Sequence, residues 1–416
     1  MRTLSSNRGM AIRPLPSVGD KINDIRARAG ALINELILPS ESVLAGADSG
    51  EPTAAAASLK ADIRAAVKTA GLWAPHLGAE YGGMGLTFLE QVYLHEVLGY
   101  SPFAPALFGV VAPNAGNQHL LDRLGTAEQK EKWLAPLARG EMESAFCMTE
   151  PDQPGSEPRS IQTTAVRDGD DWLISGQKWF TSNGIRADMM IVMCRVPTAG
   201  SGSSLVQAIV PADLPGVRIE ESISIWGQGP SDHCEVWFDN VRIPDFNILG
   251  GVGAGQAAAQ ERLGAGRVFH CMYAIGQMWR AFDLTVERAS TRVVSGAPLG
   301  DKQFVQGFIA DSYIDINSAR MLTIHAAHQV DAGAASARAD ISAIKVAVPA
   351  AWSRVADRAI QVWGAAGITD GLPLGAMYQN ARMLRIADGP DEVHRLLIAR
   401  TVLRGHQSGE GWALGC

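Results

Sequence analysis

Apolar residues recur at three- and four-residue spacing through 22–36, 54–69 and 88–99, the period of helices that bury one face. Glycine and proline punctuate these runs, most densely at Ala74-Pro75-His76 and Glu80-Tyr81-Gly82-Gly83. A further helix is predicted over 127–138, where Thr126 is placed to cap the first amides. From about Ser144 the pattern changes to short β-rich segments at 160–167, 172–175, 189–196, 205–211, 217–220 and 235–238. The first two are separated by Arg167-Asp168-Gly169-Asp170, a hairpin signal. Strands joined by tight turns, with no helices between them, predict a small antiparallel barrel or sandwich. After Gly255 the helical spacing returns. Val268, Cys271, Met272, Ile275, Met278, Phe282 and Val286 form one apolar stripe, and 304–330, 339–363 and 393–403 are three more long helices. The pattern therefore predicts an α+β chain in three parts: an N-terminal helical domain at 1–141, a middle antiparallel β domain at 142–250 and a C-terminal four-helix bundle at 251–416.

Composition narrows the classes. With 416 residues, 47% of them hydrophobic, the chain can bury a large core in two or three domains. A net charge of -7 without a basic stripe argues against nucleic acid, which demands clustered lysine and arginine. No apolar run approaches the roughly 20 residues that span a bilayer, so no membrane partner is expected. The five cysteines, Cys147, Cys194, Cys234, Cys271 and Cys416, have neither metal spacing nor a CxxC pair and read as reduced core residues. The first 14 residues carry Arg2, Arg8 and Arg13 and no acid, a faint likeness to a mitochondrial presequence. A frayed terminus is the plainer reading, giving a cytoplasmic location, or the mitochondrial matrix if the source is eukaryotic. Gly253-Ala-Gly255-Gln-Ala-Ala258 fits a dinucleotide fingerprint by letter, but its surroundings lack the βαβ unit that the fingerprint needs, so it reads as a hinge.

Five segments carry candidate chemistry. Phe146-Cys-Met-Thr-Glu-Pro151 with Gly155-Ser156 offers hydroxyls and loop amides that suit a flat ring edge and a phosphate, or simply a polar turn ending a strand. Gly176-Gln-Lys-Trp-Phe-Thr-Ser-Asn-Gly184 offers adjacent aromatics and hydroxyls for stacking and donation, or a hairpin arm with core aromatics. Arg292-Val-Val-Ser-Gly296-Ala-Pro298-Leu299 with Gln303 supplies a guanidinium suited to a pyrophosphate, or a helix C-terminal cation. Ile360-Gln361-Val-Trp-Gly364-Ala-Ala-Gly367 is a second such segment, or a helix C-cap. The last is Arg385-Ile-Ala-Asp388-Gly389-Pro390-Asp391-Glu392-Val393-His394-Arg395. Locally, Asp388 is an acid in a turn before a helix, Asp391 and Glu392 read as cap and dipole partners, and His394 reads as a helix-surface residue.

Taken in order, these segments resemble the acyl-CoA dehydrogenase family, from Pro75-His-Leu-Gly-Ala-Glu-Tyr-Gly-Gly83 to Arg400. The family's T-E-P-x-A-G-S-D and K-x-W-I-T-N-G segments wrap FAD. The resemblance places Phe146, Met148, Thr149, Gly155, Ser156, Phe180 and Ser182 at that cofactor, with the first loop one residue longer here and Phe180 in the place of a tryptophan. It places Arg292, Gln303, Gln361 and Gly364 at the FAD of a neighbouring subunit, with Ser295 replacing a phenylalanine and Ala365 a glycine. It therefore implies a homodimer or homotetramer. Asp388 falls where most members carry the catalytic glutamate. The run Ala-Asp-Gly-Pro-Asp-Glu-Val-His resembles an aspartate-using subgroup that includes members fused to kinase-like domains.

By this resemblance Asp388 removes the proton alpha to an acyl-CoA thioester, flavin N5 takes the β-hydride beside Ser182, and electron-transfer flavoprotein accepts the electrons. Arg267 matches a family arginine on the CoA side, or is a surface helix arginine. Ile225-Trp226-Gly227-Gln228-Gly229 lacks the lysine and arginine of the family's K-x-G-x-R. Two alternatives share the scaffold: a flavin oxidase of nitroalkane-oxidase type, which also uses an aspartate, and a flavin-binding protein without catalysis. No metal is expected.

Overall fold

Thr87 opens the helix Phe88–Leu98 with a reciprocal cap: its hydroxyl accepts from the Glu90 amide, and the Glu90 carboxylate accepts from the Thr87 amide. Thr126 and Gln129 repeat the device at Ala127–Gln129, where the predicted helix begins and runs on through a π turn to Arg139. The structure, a computed structural model, describes residues 9–48, 53–197, 203–226, 231–334 and 336–409. These fall into two compact units. Cys416 and Gly227-Gln228-Gly229 lie outside the described residues.

The first unit comprises Met1–Pro39, Thr87–Pro105 and Arg267–Cys416. Its core is the stripe read from the sequence: Val268, Cys271, Met272, Ile275 and Met278 are fully buried, while Phe282 packs at the margin. They face Ile316 on the helix Gln303–Asp331, Ile344, Val348 and Trp352 on Ala337–Trp363, and Met377 and Ala381 on Leu374–Leu384. Gly99 and Gly276 let Phe88–Leu98 and Gly255–Thr291 meet backbone to backbone: a Cβ on either would run into the other helix's main chain, at the Tyr273 and Glu96 carbonyls. Beside that crossing Arg320 makes a bidentate pair with the buried Glu96. The predicted four-helix bundle is extended by Leu374–Leu384, a short helix whose period is obscured by the glycines and proline of 371–375. Asp391–Gln407 completes the set.

The second unit comprises Ser40–Leu86 and Ala106–Gly266. Ala54–Thr69 has the predicted bounds, and Trp73 ties its far end to the Ala138 carbonyl. Among the described residues eight strands form one sheet: β1 Ser144–Cys147, β2 Thr164–Asp168, β3 Asp171–Ser182, β4 Met189–Pro197, β5 Ser203–Pro211, β6 Val217–Ser222, β7 His233–Pro244 and β8 Ile248–Leu249. The order is β6-β7-β3-β2-β4-β5-β8, with β1 on β4. The predicted hairpin joins β2 to β3, with Asp168 opposite Asp171. The antiparallel expectation needs one correction, because β1 runs parallel to β4 and Thr164 also meets Arg195 in parallel register. Both faces of β4 are covered, so its MMIVMC run is continuously buried, as two-sided strands are. Cys147, Cys194, Cys234 and Cys271 are buried, in no disulfide, and burial pushes three of their thiols up to about 12 and Cys234 to about 11. Among the described residues no helix is long and apolar enough to cross a membrane.

Candidate active site

In the second unit the chain leaves β1 through Met148 and Thr149 and is pinned at once to β3. The Trp179 amide donates to the Thr149 carbonyl at 2.8 Å, and Lys178 Nζ donates to the Met148 carbonyl at 3.1 Å. Lys178, fully buried, also reaches Glu150 Oε1 at 2.9 Å. The same carboxylate accepts from the amides of Gln162 and Thr163 and from the Thr163 hydroxyl. Burial pushes the Glu150 carboxyl up, but Lys178 and these donors outweigh it and hold the group below the usual carboxylate range. Phe146 and Met148 pack on Ile161, Met193, Leu205 and Ala259, and the Arg262 guanidinium lies 4.0 Å from the centroid of the Phe146 ring.

With the loop fixed there, β3 slips register against β7 between Lys178 and Thr181. Phe180 sits inside the slip at φ +52°, a left-handed conformation that costs an L-aromatic residue about 1–2 kcal/mol. The strain turns the ring outward: Phe180 is 43% exposed, 4.6 Å from Trp179 centroid to centroid. Two residues on, Ser182 Oγ lies 2.9 Å from His233 Nδ1 on β7. Gly155 and Ser156 are exposed on the loop after Thr149. An outward aromatic face, a hydroxyl paired with an imidazole and an open loop make a donor set that suits the isoalloxazine and phosphate of FAD.

The first unit holds the acid. Asp388 has φ +55° and is followed by Gly389 at φ +101°, so two positive-φ residues make the turn before Asp391–Gln407, where the Asp388 side chain is 27% exposed. Its main-chain carbonyl is gripped from two sides. Arg267 Nε donates to it at 2.9 Å, and His394 Nε2 approaches it at 3.2 Å while Nδ1 lies 3.1 Å from Ser342 Oγ. His394 is thus not the surface residue expected from the sequence. Asp391–Gln407 turns positions 391 and 394, one helical turn apart, against Ala337–Trp363, so both are buried. Burial, with Arg267 and Lys345 nearby, brings the imidazole down to about 4, so it is neutral and donates through Nε2. Asp391 heads the helix but spends its carboxylate on Arg385, at 2.8 Å and 2.7 Å. Lys345, buried, donates to the Leu384 carbonyl. On the carboxylate itself, His270 Nε2 lies 3.4 Å from Asp388 Oδ2.

Arg292, Gln303, Gln361 and Gly364 are all exposed. Arg292 follows the helix Gly255–Thr291 and leads into a two-stranded hairpin, Val293–Val294 with Ala297–Pro298. Its two-residue turn has Ser295 at φ +52° and Gly296 at φ +77°. A small serine suits that left-handed corner better than a phenylalanine. Gln361 and Gly364 close the helix Ala337–Trp363, with Gly364 at φ +65° and its amide returned to the Gln361 and Ile360 carbonyls. Trp363 Nε1 donates to the Leu284 carbonyl and Arg288 lies over its ring, which draws the two helix ends together.

The acyl-CoA dehydrogenase N-terminal, middle and C-terminal domain families match residues 40–141, 145–241 and 253–403. FadE2 of Mycobacterium tuberculosis, which bears the acyl-CoA dehydrogenase name, is 43% identical over 83% of this chain and 86% of its own length. Mouse acyl-CoA dehydrogenase family member 10 is 37% identical over 95% of this chain, which spans only 38% of that relative. A solved acyl-CoA dehydrogenase structure from Mycobacterium abscessus superposes with a TM-score of 0.86 at 38% identity, over 94% of this chain and all of that one. With its three segments matched in family order, the chain belongs to the acyl-CoA dehydrogenase family and is an FAD-dependent oxidoreductase.

Proposed function

We propose that Asp388 is the base that removes the proton alpha to the thioester of an acyl-CoA. The observation that carries this reading is the Asp388 turn: a partly buried carboxylate on a left-handed residue, its carbonyl clamped by Arg267 and His394. Such a clamp fixes where the carboxylate begins, as a proton transfer between positioned groups requires. Bound FAD would supply the acceptor for the β-hydrogen. Phe180, Ser182, Thr149, Gly155 and Ser156, with Phe146 and Met148 supporting them, hold FAD in the second unit. The exposed Arg292, Gln303, Gln361 and Gly364 serve the cofactor of another copy. That assignment makes the protein a homodimer or homotetramer, and exposed Phe304, Val393, Leu396 and Leu403 supply apolar surface for it.

The Asp388 run supports placement in the aspartate-using subgroup, and the greater length of relatives such as the mouse family member 10 is in keeping with it. Electron-transfer flavoprotein is the proposed acceptor and the cytoplasm, or a mitochondrial matrix, the proposed compartment. Asp388→Asn should retain FAD yet fail to bleach when mixed anaerobically with acyl-CoA thioesters that bleach the parent enzyme. Normal bleaching by that variant removes Asp388 from the role, and rapid peroxide formation in air marks an oxidase instead.

A further inference from the structure

We propose that His270 orients and tunes the Asp388 carboxylate, so that a histidine–aspartate pair rather than a lone carboxylate forms the base. This rests on the reading of Asp388 as the base and extends it to a residue that the sequence left unmarked. Arg267, His270 and Cys271 stand at i, i+3 and i+4 on one face of the helix Gly255–Thr291. Arg267 takes the carbonyl of Asp388, and one turn further His270 Nε2 stands 3.4 Å from Oδ2. The clamp on the carbonyl fixes the main chain, and His270 bears on the two side-chain torsions of Asp388 from the same helix. Holding Oδ2 turns Oδ1 toward the substrate, and the shorter reach of aspartate is met by a fixed direction.

Among the described residues, the other charged and titratable groups near Asp388 act on its carboxylate through their charge while holding other partners. Arg267 and His394 hold main-chain oxygen, Lys345 on Ala337–Trp363 holds the Leu384 carbonyl, Asp391 on Asp391–Gln407 is paired with Arg385, and Cys271 is a buried thiol raised to about 12. His270, with its side chain 39% exposed against 27% for Asp388, is placed to exchange protons with solvent. In the step itself the substrate Cα–H bond breaks, its electron pair stays on the substrate, and the proton forms an O–H bond at Oδ1.

The charge on His270 sets how basic that oxygen is. Imidazolium at low pH stabilises the carboxylate anion and makes it a weaker base. Neutral imidazole at higher pH keeps Nε2 at 3.4 Å from Oδ2 without that charge and leaves a stronger one. The rate of α-proton removal therefore rises with pH through an ionisation that belongs to the pair.

The test uses the holoenzyme with His270→Leu, His270→Gln and Asp388→Asn, matched for FAD content and melting temperature. Single-turnover anaerobic bleaching by an acyl-CoA should slow roughly 10- to 100-fold in His270→Leu. His270→Gln, which keeps an N–H donor, should recover most of that loss but without the pair's ionisation in its pH profile. With 13C-labelled histidine, the NMR titration of the resonance absent from His270→Gln should shift down by about one pH unit in Asp388→Asn. A His270→Leu enzyme with the parent rate and profile, or a histidine titration untouched by Asp388→Asn, overturns the pair while leaving Asp388 as base. An Asp388→Asn enzyme that bleaches normally overturns the base reading itself.

Discussion

Arg267 donates through Nε to the main-chain carbonyl of Asp388 at 2.9 Å, so the arginine that the family resemblance sets on the CoA side is bound to the turn that carries the acid. Its half-buried guanidinium is held there by a charge-assisted bond, which is stronger than one between neutral groups. The two roles predict opposite kinetics. As a positioning residue, Arg267 replaced by glutamine should lower kcat about 10-fold or more with the KM for acyl-CoA little changed, because a displaced base is felt in the transition state. Arg267→Lys keeps the charge but not the fork and should fall between. Steady-state rates with an artificial electron acceptor decide it: a raised KM at unchanged kcat assigns Arg267 to CoA instead.

The Glu150–Lys178 pair anchors the loop bearing Thr149 to the strand bearing Phe180, and it is buried on both sides. Removing one partner strands the other charge, at a cost of about 3–5 kcal/mol. Lys178→Met should therefore lower thermal stability sharply and release FAD on gel filtration. The double variant Lys178→Met with Glu150→Gln should recover part of the stability, because no buried charge is left. A Lys178→Met protein as stable as the parent would show that water reaches Glu150.

Much of this was legible in the sequence and some of it was inverted. The stripe from Val268 to Met278 is buried as its spacing says, because a helix crossed by several others buries every apolar position on that face. The helix Asp391–Gln407 does the reverse. Val393, Leu396 and Leu403 are exposed while Asp391 and His394 are buried, so hydropathy points to the wrong face and hides the clamp on Asp388. The sequence pattern shows β3 only over 172–175, because Lys178 and Thr181 are polar yet buried and break the apolar alternation. His233 beside Ser182, and His270 beside Asp388, leave no local mark either: their meaning comes from partners 51 and 118 residues away.

His394 makes stability depend on pH with a definite sign. Its folded value of about 4 lies below the ordinary 6.5, so between these values the unfolded chain binds a proton that the folded chain does not. Stability is full above pH 6.5, falls as the pH drops from there to about 4, and is level below for this group. The loss between pH 7 and 4.5 amounts to roughly 2–3 kcal/mol from His394 alone. His394→Gln keeps a donor but does not titrate, so urea unfolding at the two pH values should differ less than in the parent by that amount. His76, also brought down to about 4 by burial, contributes a parallel slope that remains in the variant. Equal slopes in the two proteins would show that His394 is charged in the folded state.

Phe180 separates a cofactor role from a structural one by the sign of two effects. It is strained at φ +52° and 43% exposed, so its ring contributes little to the core while its backbone costs about 1 kcal/mol or more. Phe180→Gly relieves that strain, offset in part by the roughly 0.5–1 kcal/mol of chain entropy that a strand glycine loses. The FAD-free protein should therefore melt at or slightly above the parent temperature. The same change removes an aromatic face worth about 0.5–1.5 kcal/mol beyond its buried area, so FAD should bind roughly 10-fold more weakly. Phe180→Trp, which restores the family's usual residue, should bind FAD at least as tightly as the parent. A core aromatic behaves otherwise, because its loss lowers the melting temperature of the cofactor-free protein by leaving a cavity. Melting curves of the stripped protein and fluorescence titration with FAD give the two signs independently, and a large drop in the first with no change in the second would return Phe180 to the hairpin arm.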